Sequence, residues 1–194
     1  MGILLNSGNT EFEEAANAEI YVDKTLLIEY ANRVLRTPQK YICVSRPRRF
    51  GKSMAANMLT AYYSKGCDSR ELFSPYKISK SDSFEKHLNK YNVIHINMVE
   101  YLTEAKSIEN LIKYIEDDII GDITDSMPEL IMPRRISLTK VLTSAFNQFK
   151  IPFIFIIDEW DCIFRKSSIR SEEYTMYLDF LRTLLKDQSY VALA

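Results

Sequence analysis

Apolar residues along this chain recur with helical spacing in five stretches and gather into short continuous runs between them. Thr10 and Glu13 have capping-box spacing for a short first helix. "VDKTLLIEYANRVL" then places Leu27, Tyr30, Ala31, Val34 and Leu35 on one helical face, and Pro38 closes it. "YICVS", Tyr41 to Ser45, is β-branched and aromatic, the profile of a buried strand. After Ser53 the series Met54, Met58, Tyr62 and Ala55, Leu59, Tyr63 predicts a helix that runs until Gly66. The polar stretch from Cys67 to Lys90, with His87 in it, is expected to wrap the surface. Tyr91 to Met98 reads as a second strand, with His95 among its apolar neighbours as a packed core residue.

The second half repeats the alternation. Ser107 is placed to cap a helix faced by Ile108, Leu111, Ile112, Ile115 and Ile119. After Ser137, the residues Leu138, Val141, Leu142, Ala145, Phe146 and Phe149 follow the helical template throughout, until Pro152 ends the helix ahead of "FIFII". "DEWD" follows this third strand. Ser171 is then placed to cap a helix with Glu172 and Glu173 in its first turn and Tyr174, Tyr177, Leu178, Leu181 and Leu185 on its inner face. "SYVALA" starts a fourth strand.

Continuous apolar strands alternating with helices predict an α/β fold of three layers, a mostly parallel sheet covered on both faces. Residues 1–40 read as an N-terminal helical lead-in and residues 41–194 as the core. Because the sequence stops as a strand begins, it reads as a piece of a longer protein.

Composition narrows the partners. Of 194 residues, 46% are hydrophobic and 26% charged, so the chain is expected to fold rather than remain disordered. The net charge of −1 leaves nucleic-acid contact to a local patch instead of the whole domain's field. Cys43, Cys67 and Cys162 are odd in number, far apart and without C-x-x-C spacing, which fits a reducing cytoplasm. The longest apolar run, Ile151 to Ile157, is far short of a membrane span, and no secretory or myristoylation pattern opens the chain.

Two motifs fall at the carboxyl ends of predicted strands, where open parallel sheets bind ligands. "RPRRFGKS", Arg46 to Ser53, has the Gly51-Lys52-Ser53 of a phosphate-binding loop, with Arg46 where the first glycine usually stands. Roughly a hundred residues further on, Asp158 and Glu159 follow a run of apolar residues. Together they predict a P-loop NTPase. The loop from Arg46 to Met54, through Pro47, Arg48, Arg49, Phe50 and Gly51, would cradle the phosphates of ATP at the start of a helix, with the backbone N–H groups of its non-proline residues pointing at them. Lys52 would neutralise them. Ser53 and Asp158 would hold Mg²⁺, and Glu159 would deprotonate the attacking water. No N-K-x-D guanine signal is present.

Blander readings stand beside these. Asp158 and Glu159 also suit a solvated turn, and Arg46, Arg48 and Arg49 suit phosphate, nucleic acid or plain solvation equally. Trp160 and Asp161 could meet a partner or cap a turn, and Tyr21 and Val22 could lie against adenine.

"IYVDKT" (Ile20 to Thr25), "SRPRRFGKSM" (Ser45 to Met54) and "FIIDEWD" (Phe155 to Asp161) resemble the predicted AAA-ATPase-like proteins of bacteria over nearly the whole chain. In that family RPRRFGK[ST] is the phosphate loop, so the resemblance implies that Arg46 is normal there. It also implies that Lys52, Ser53, Asp158 and Glu159 are nucleotide and Mg²⁺ residues. Members usually continue into a sensor strand, further helices and often a restriction-nuclease-like domain. By that comparison the present sequence is truncated at the start of the sensor strand, and is expected to bind nucleotide more readily than hydrolyse it. A second copy of the chain is a further candidate partner.

Overall fold

The computed structural model describes residues 2–45, 50–166 and 169–194. Three parallel strands form its sheet: β1 (Asn92–Asn97), β2 (Phe153–Asp158) and β3 (Val191–Leu193), in that spatial order. The helices among the described residues are α1 (Thr10–Ala16), α2 (Leu26–Val34), α3 (Lys52–Tyr63), α4 (Arg70–Phe73), α5 (Phe84–His87), α6 (Met98–Glu104), α7 (Ile108–Ser126), α8 (Leu138–Phe149) and α9 (Ser171–Leu185). Short 3₁₀ turns lie at Lys77–Lys80 and Cys162–Arg165. None of these helices is long and apolar enough to cross a membrane.

Alternation along the strands divides the core in two. Ile94, Ile96, Phe153, Phe155 and Val191 face one cluster, built with Leu111, Ile115, Val141, Leu142 and Tyr177 of α7, α8 and α9. Val93, Ile154, Ile156 and Ala192 face the other, built with Phe12, Ile28, Met58, Ala61 and Tyr62 of α1, α2 and α3. Helices therefore cover both faces of the sheet, which is why β2 is apolar at every position from Phe153 to Ile157. Each fully buried Leu, Ile or Phe contributes about 1.5–3 kcal/mol, and the two clusters hold the sheet edge where the candidate residues sit.

β1 has a neighbour on its outer side that the hydrophobic pattern did not announce. Leu5 bridges Ile94 in antiparallel sense, Asn6 N donates to the Val93 carbonyl at 2.8 Å, and His95 N donates to Leu4 O at 3.0 Å. The Asp122 carboxylate of α7 receives the N–H groups of Ile3, Leu4 and Leu5 at 3.1, 2.6 and 2.9 Å, which fixes that segment.

Several local expectations are corrected. Tyr41 to Ser45 is not a buried strand, although Ile42 N donates to Ala194 O and Ala194 N to Lys40 O, at 2.8 and 3.0 Å. Tyr41, Cys43 and Val44 are accordingly exposed. The first helix starts at Thr10 after Asn9, with no side-chain cap. α3 ends at Tyr63 instead of Gly66, where Asn89 takes over, its side-chain amide donating to Ser64 O at 2.8 Å. Cys67 to Lys90 is more than a surface wrap, since Phe73, Ile78, Phe84 and Leu88 enter the core. His87 is buried there, its Nδ1 2.7 Å from the Tyr91 hydroxyl. Ser107 does cap α7, accepting from Asn110 N at 3.2 Å, whereas Ser137 makes no side-chain cap bond. α9 begins after Arg170, whose N–H is taken by Glu173 at 3.0 Å, and it buries Tyr177 and Leu184 while leaving Leu178 exposed.

Candidate functional site

Gly51 sits immediately before α3 with φ of 75°, a left-handed conformation open to glycine at little cost, and this turn lets the helix begin at Lys52. The Lys52 ammonium then reaches the end of the central strand, with Nζ 3.9 Å from Glu159 Oε1. Two motifs separated by roughly a hundred residues thus meet, as expected of a site at the carboxyl edge of a parallel sheet.

Asp158 is the last residue of β2, in register with Asn97 on β1. Its Oδ1 accepts the Glu159 N–H at 2.9 Å. Glu159 has φ of 52°, in the region that non-glycine residues occupy at a cost of order 1–3 kcal/mol. Such strain persists where the surroundings enforce it, and here they do. Cys162 N donates to Glu159 O at 2.9 Å, and the Arg165 guanidinium bonds the Glu159 carboxylate directly. Arg165 also reaches Asp161 at 3.3 Å. The hydrogen bond to Glu159, followed by the charges of Asp161 and Glu159, raises the Arg165 pKa further above its ordinary value.

A cavity of about 600 Å³ opens here, a volume suited to a small-molecule ligand. It lies between Tyr41–Ser45 and the second half of β2, whose pairing with β3 is confined to Phe153 and Ile154. Lys52, Asp158, Glu159 and Asp161 give it a charged end, and Leu59 and Leu181 are among its apolar walls.

The other candidate residues are more scattered. Phe50 and Ser53 are exposed, and Met54 is half-buried in the first turn of α3. Arg46, Pro47, Arg48 and Arg49 lie outside the described residues. Trp160 is partly exposed, edge-on to Phe164 at 5.9 Å, and its carbonyl accepts the Tyr177 hydroxyl at 2.8 Å. Asp161 precedes the 3₁₀ turn. Tyr21 packs edge-on to Phe12 and tilted against Tyr76 rather than standing open to a ligand, and burial foremost pushes its hydroxyl up to about 12. His95 is a strand residue as expected. Burial lowers its pKa, against the opposing pull of Glu11, Asp158 and Glu100.

Sequence reasoning missed two basic residues. Arg165 lies six positions beyond Glu159 across an irregular turn, a spacing with no periodic signature. Lys24, within IYVDKT, donates to Phe50 O at 2.9 Å, a contact that only the fold creates.

These features define an α/β protein with helices on both faces of a parallel sheet and a lysine-bearing helix start facing acids at a strand end. The chain belongs to the predicted AAA-ATPase family, whose model matches residues 7–191. Membership points to nucleotide binding of the ATPase type. Neither the curated proteins nor the solved structures searched gave a match.

Proposed function

We propose that the chain is an ATP-binding, Mg²⁺-dependent ATPase module of a larger protein, coupling nucleotide binding or hydrolysis to a conformational change. One observation carries this reading: Lys52, at the start of α3, lies 3.9 Å from Glu159 at the end of β2, at the charged end of the cavity. In this reading residues 1–40 are a lead-in that rests on a P-loop core of residues 41–194. Phosphates lie at the start of α3, attracted by its N–H groups and dipole and by Lys52. Phe50, Gly51 and Met54 contribute backbone, and Arg46, Pro47, Arg48 and Arg49 complete the loop.

The donors proposed for Mg²⁺ are the Ser53 hydroxyl and the Asp158 carboxylate. Hard oxygen ligands with a single carboxylate suit this ion, which keeps several waters and takes phosphate oxygens as further ligands. When bound it would supply positive charge to the phosphates. Glu159 is the base for water, and in the present geometry its carboxylate is engaged by Arg165 and approached by Lys52.

That engagement favours a second reading, in which the same site binds ATP and turns it over slowly as a nucleotide-sensing switch. A third uses Arg46, Arg48 and Arg49 for nucleic acid, and would show a salt-dependent DNA affinity indifferent to Lys52. Calorimetry with ATP, ADP and GTP, with and without Mg²⁺, tests the site. Wild type should bind ATP and ADP in a Mg²⁺-sensitive way and GTP more weakly, and Lys52→Ala should lose binding. Equal affinities for the two proteins would remove the site from α3.

A further inference from the structure

The segment "YVDKT" is tied down through every second residue. Tyr21 packs its ring on Phe12 and Tyr76, with centroids 5.9 and 5.1 Å away. Asp23 accepts the Thr25 N–H and hydroxyl at 2.9 and 2.7 Å through one oxygen, and Lys77 N–H at 3.0 Å through the other. Thr25, fully buried, accepts Ile78 N–H at 3.2 Å. Between and beside these anchors, Val22 and Lys24 are both exposed.

Lys24 is thereby delivered to the turn that starts α3. Its Nζ donates to Phe50 O at 2.9 Å and stands 2.9 Å from where a side-chain carbon on Gly51 would be. Two ammonium groups, Lys24 and Lys52, converge on a helix start that already carries partial positive charge. A neutral carbonyl uses one of three N–H donors on Lys24 and leaves its charge uncompensated. Two ammonium groups at a helix start suit a phosphate, for which Lys52 would exchange its present approach to Glu159.

We propose that Lys24 contacts a phosphate of the bound nucleotide, so that the phosphate site is built from two lysines, Lys24 and Lys52. This rests on the reading of α3 as the nucleotide site. It also gives the IYVDKT segment a role, in which Tyr21, Asp23 and Thr25 hold the chain so that Lys24 meets the loop.

The test is calorimetry on the 194-residue chain with Lys24→Met and Lys24→Arg, using Mg²⁺–ATP, inorganic tripolyphosphate and adenosine at low and physiological salt. Removing a charge-assisted contact should weaken ATP and tripolyphosphate by about 10- to 100-fold in Lys24→Met. Adenosine affinity and the melting temperature of the nucleotide-free protein should not change. The salt dependence of ATP binding should flatten, and Lys24→Arg should recover most of the loss. Unchanged ATP affinity in Lys24→Met, with binding lost in Lys52→Ala, overturns the role of Lys24 and leaves the site standing. Equal losses for ATP and adenosine, or a lowered melting temperature, also overturn it by showing that Lys24 supports the fold. Wild type that binds neither ATP nor tripolyphosphate removes the nucleotide reading itself, and the proposal with it.

Discussion

Thr25→Val isolates the anchor beneath Lys24, because valine keeps the side-chain shape and deletes only the hydroxyl. Two bonds are lost in a fully buried position. The hydroxyl no longer donates to Asp23 at 2.7 Å, a charge-assisted bond of about 1.5–3 kcal/mol, and Ile78 N–H loses its acceptor, at about 1–3 kcal/mol. The added methyl offsets up to roughly 0.8 kcal/mol. A net loss of about 2–5 kcal/mol is expected, which for a domain of this size lowers Tm by roughly 4–20 °C. Thr25→Ser keeps the hydroxyl and should lose only about 1 kcal/mol through its missing methyl.

Urea denaturation monitored by tryptophan fluorescence measures this, with an unchanged m value showing that the same surface unfolds. Acid titration supplies an independent arm. Burial alone would raise the Asp23 pKa, but bonds from Thr25 and Lys77, with the Lys77 charge, hold it below the ordinary carboxylate value. A carboxylate depressed in the folded state contributes stability that is present above its unfolded pKa, near 4, and lost as pH falls through the folded one. Thr25→Val should therefore reduce the stability that wild type loses below about pH 4. If Thr25→Val stays within about 0.5 kcal/mol of wild type, the hydroxyl bonds are not what holds the segment.

Three other outcomes follow from the same structure. ATP at about a hundred times Kd should stabilise the folded chain by about 2.7 kcal/mol, read as a rise in Tm that Lys52→Ala abolishes. Glu159→Gln cannot accept a proton, so in steady-state assays it should keep ATP affinity within a few-fold and lower turnover by roughly 10²–10⁴; undiminished turnover would remove Glu159 from the mechanism. Both histidines have folded pKa values lowered first by burial, with Lys86 adding to the effect at His87. The unfolded chain then binds more protons below about pH 6.5, so stability should fall from pH 7 towards pH 5, and His87→Gln with His95→Gln should flatten that slope in urea titrations; an undiminished slope would place its origin elsewhere.

Legibility in the sequence followed the range of the physics involved. α7, α8 and β2 were readable because helical periodicity and a double-sided apolar run are local consequences of which face is buried. Tyr41–Ser45 has strand-like residues, but a strand is made by pairing, which residue type does not reveal, and among the described residues its backbone pairing is limited to Ile42 N with Ala194 O. The pairing of Leu4 to Asn6 with β1 escaped notice for the converse reason: a short edge is defined by Asp122 and Val93, more than eighty residues away in sequence, and not by its own pattern. Lys52 and Glu159, which lie 3.9 Å apart, were singled out by the short Gly-Lys-Ser and Asp-Glu motifs and not by periodicity. Lys24 and Arg165 were not, since each acts on the site through a tertiary contact with no fixed offset.

Within the proposed reading, the charges at the site are balanced against one another before any nucleotide arrives. Glu159 is held by a left-handed backbone turn, and its carboxylate engages Arg165 and approaches Lys52. A polyphosphate brings several negative charges to α3 and competes for Lys52, so binding necessarily alters the field at Glu159. Whether that change frees the carboxylate depends on a difference in affinity between the two arrangements, because a ligand shifts an equilibrium only by its preference for one state. Arg165, bonded to the Glu159 carboxylate, would act on that difference from the acid side, and Lys24 from the phosphate side. In that reading, the two residues that the linear pattern did not reveal would bias the choice between a site that hydrolyses its nucleotide and one that only registers its presence.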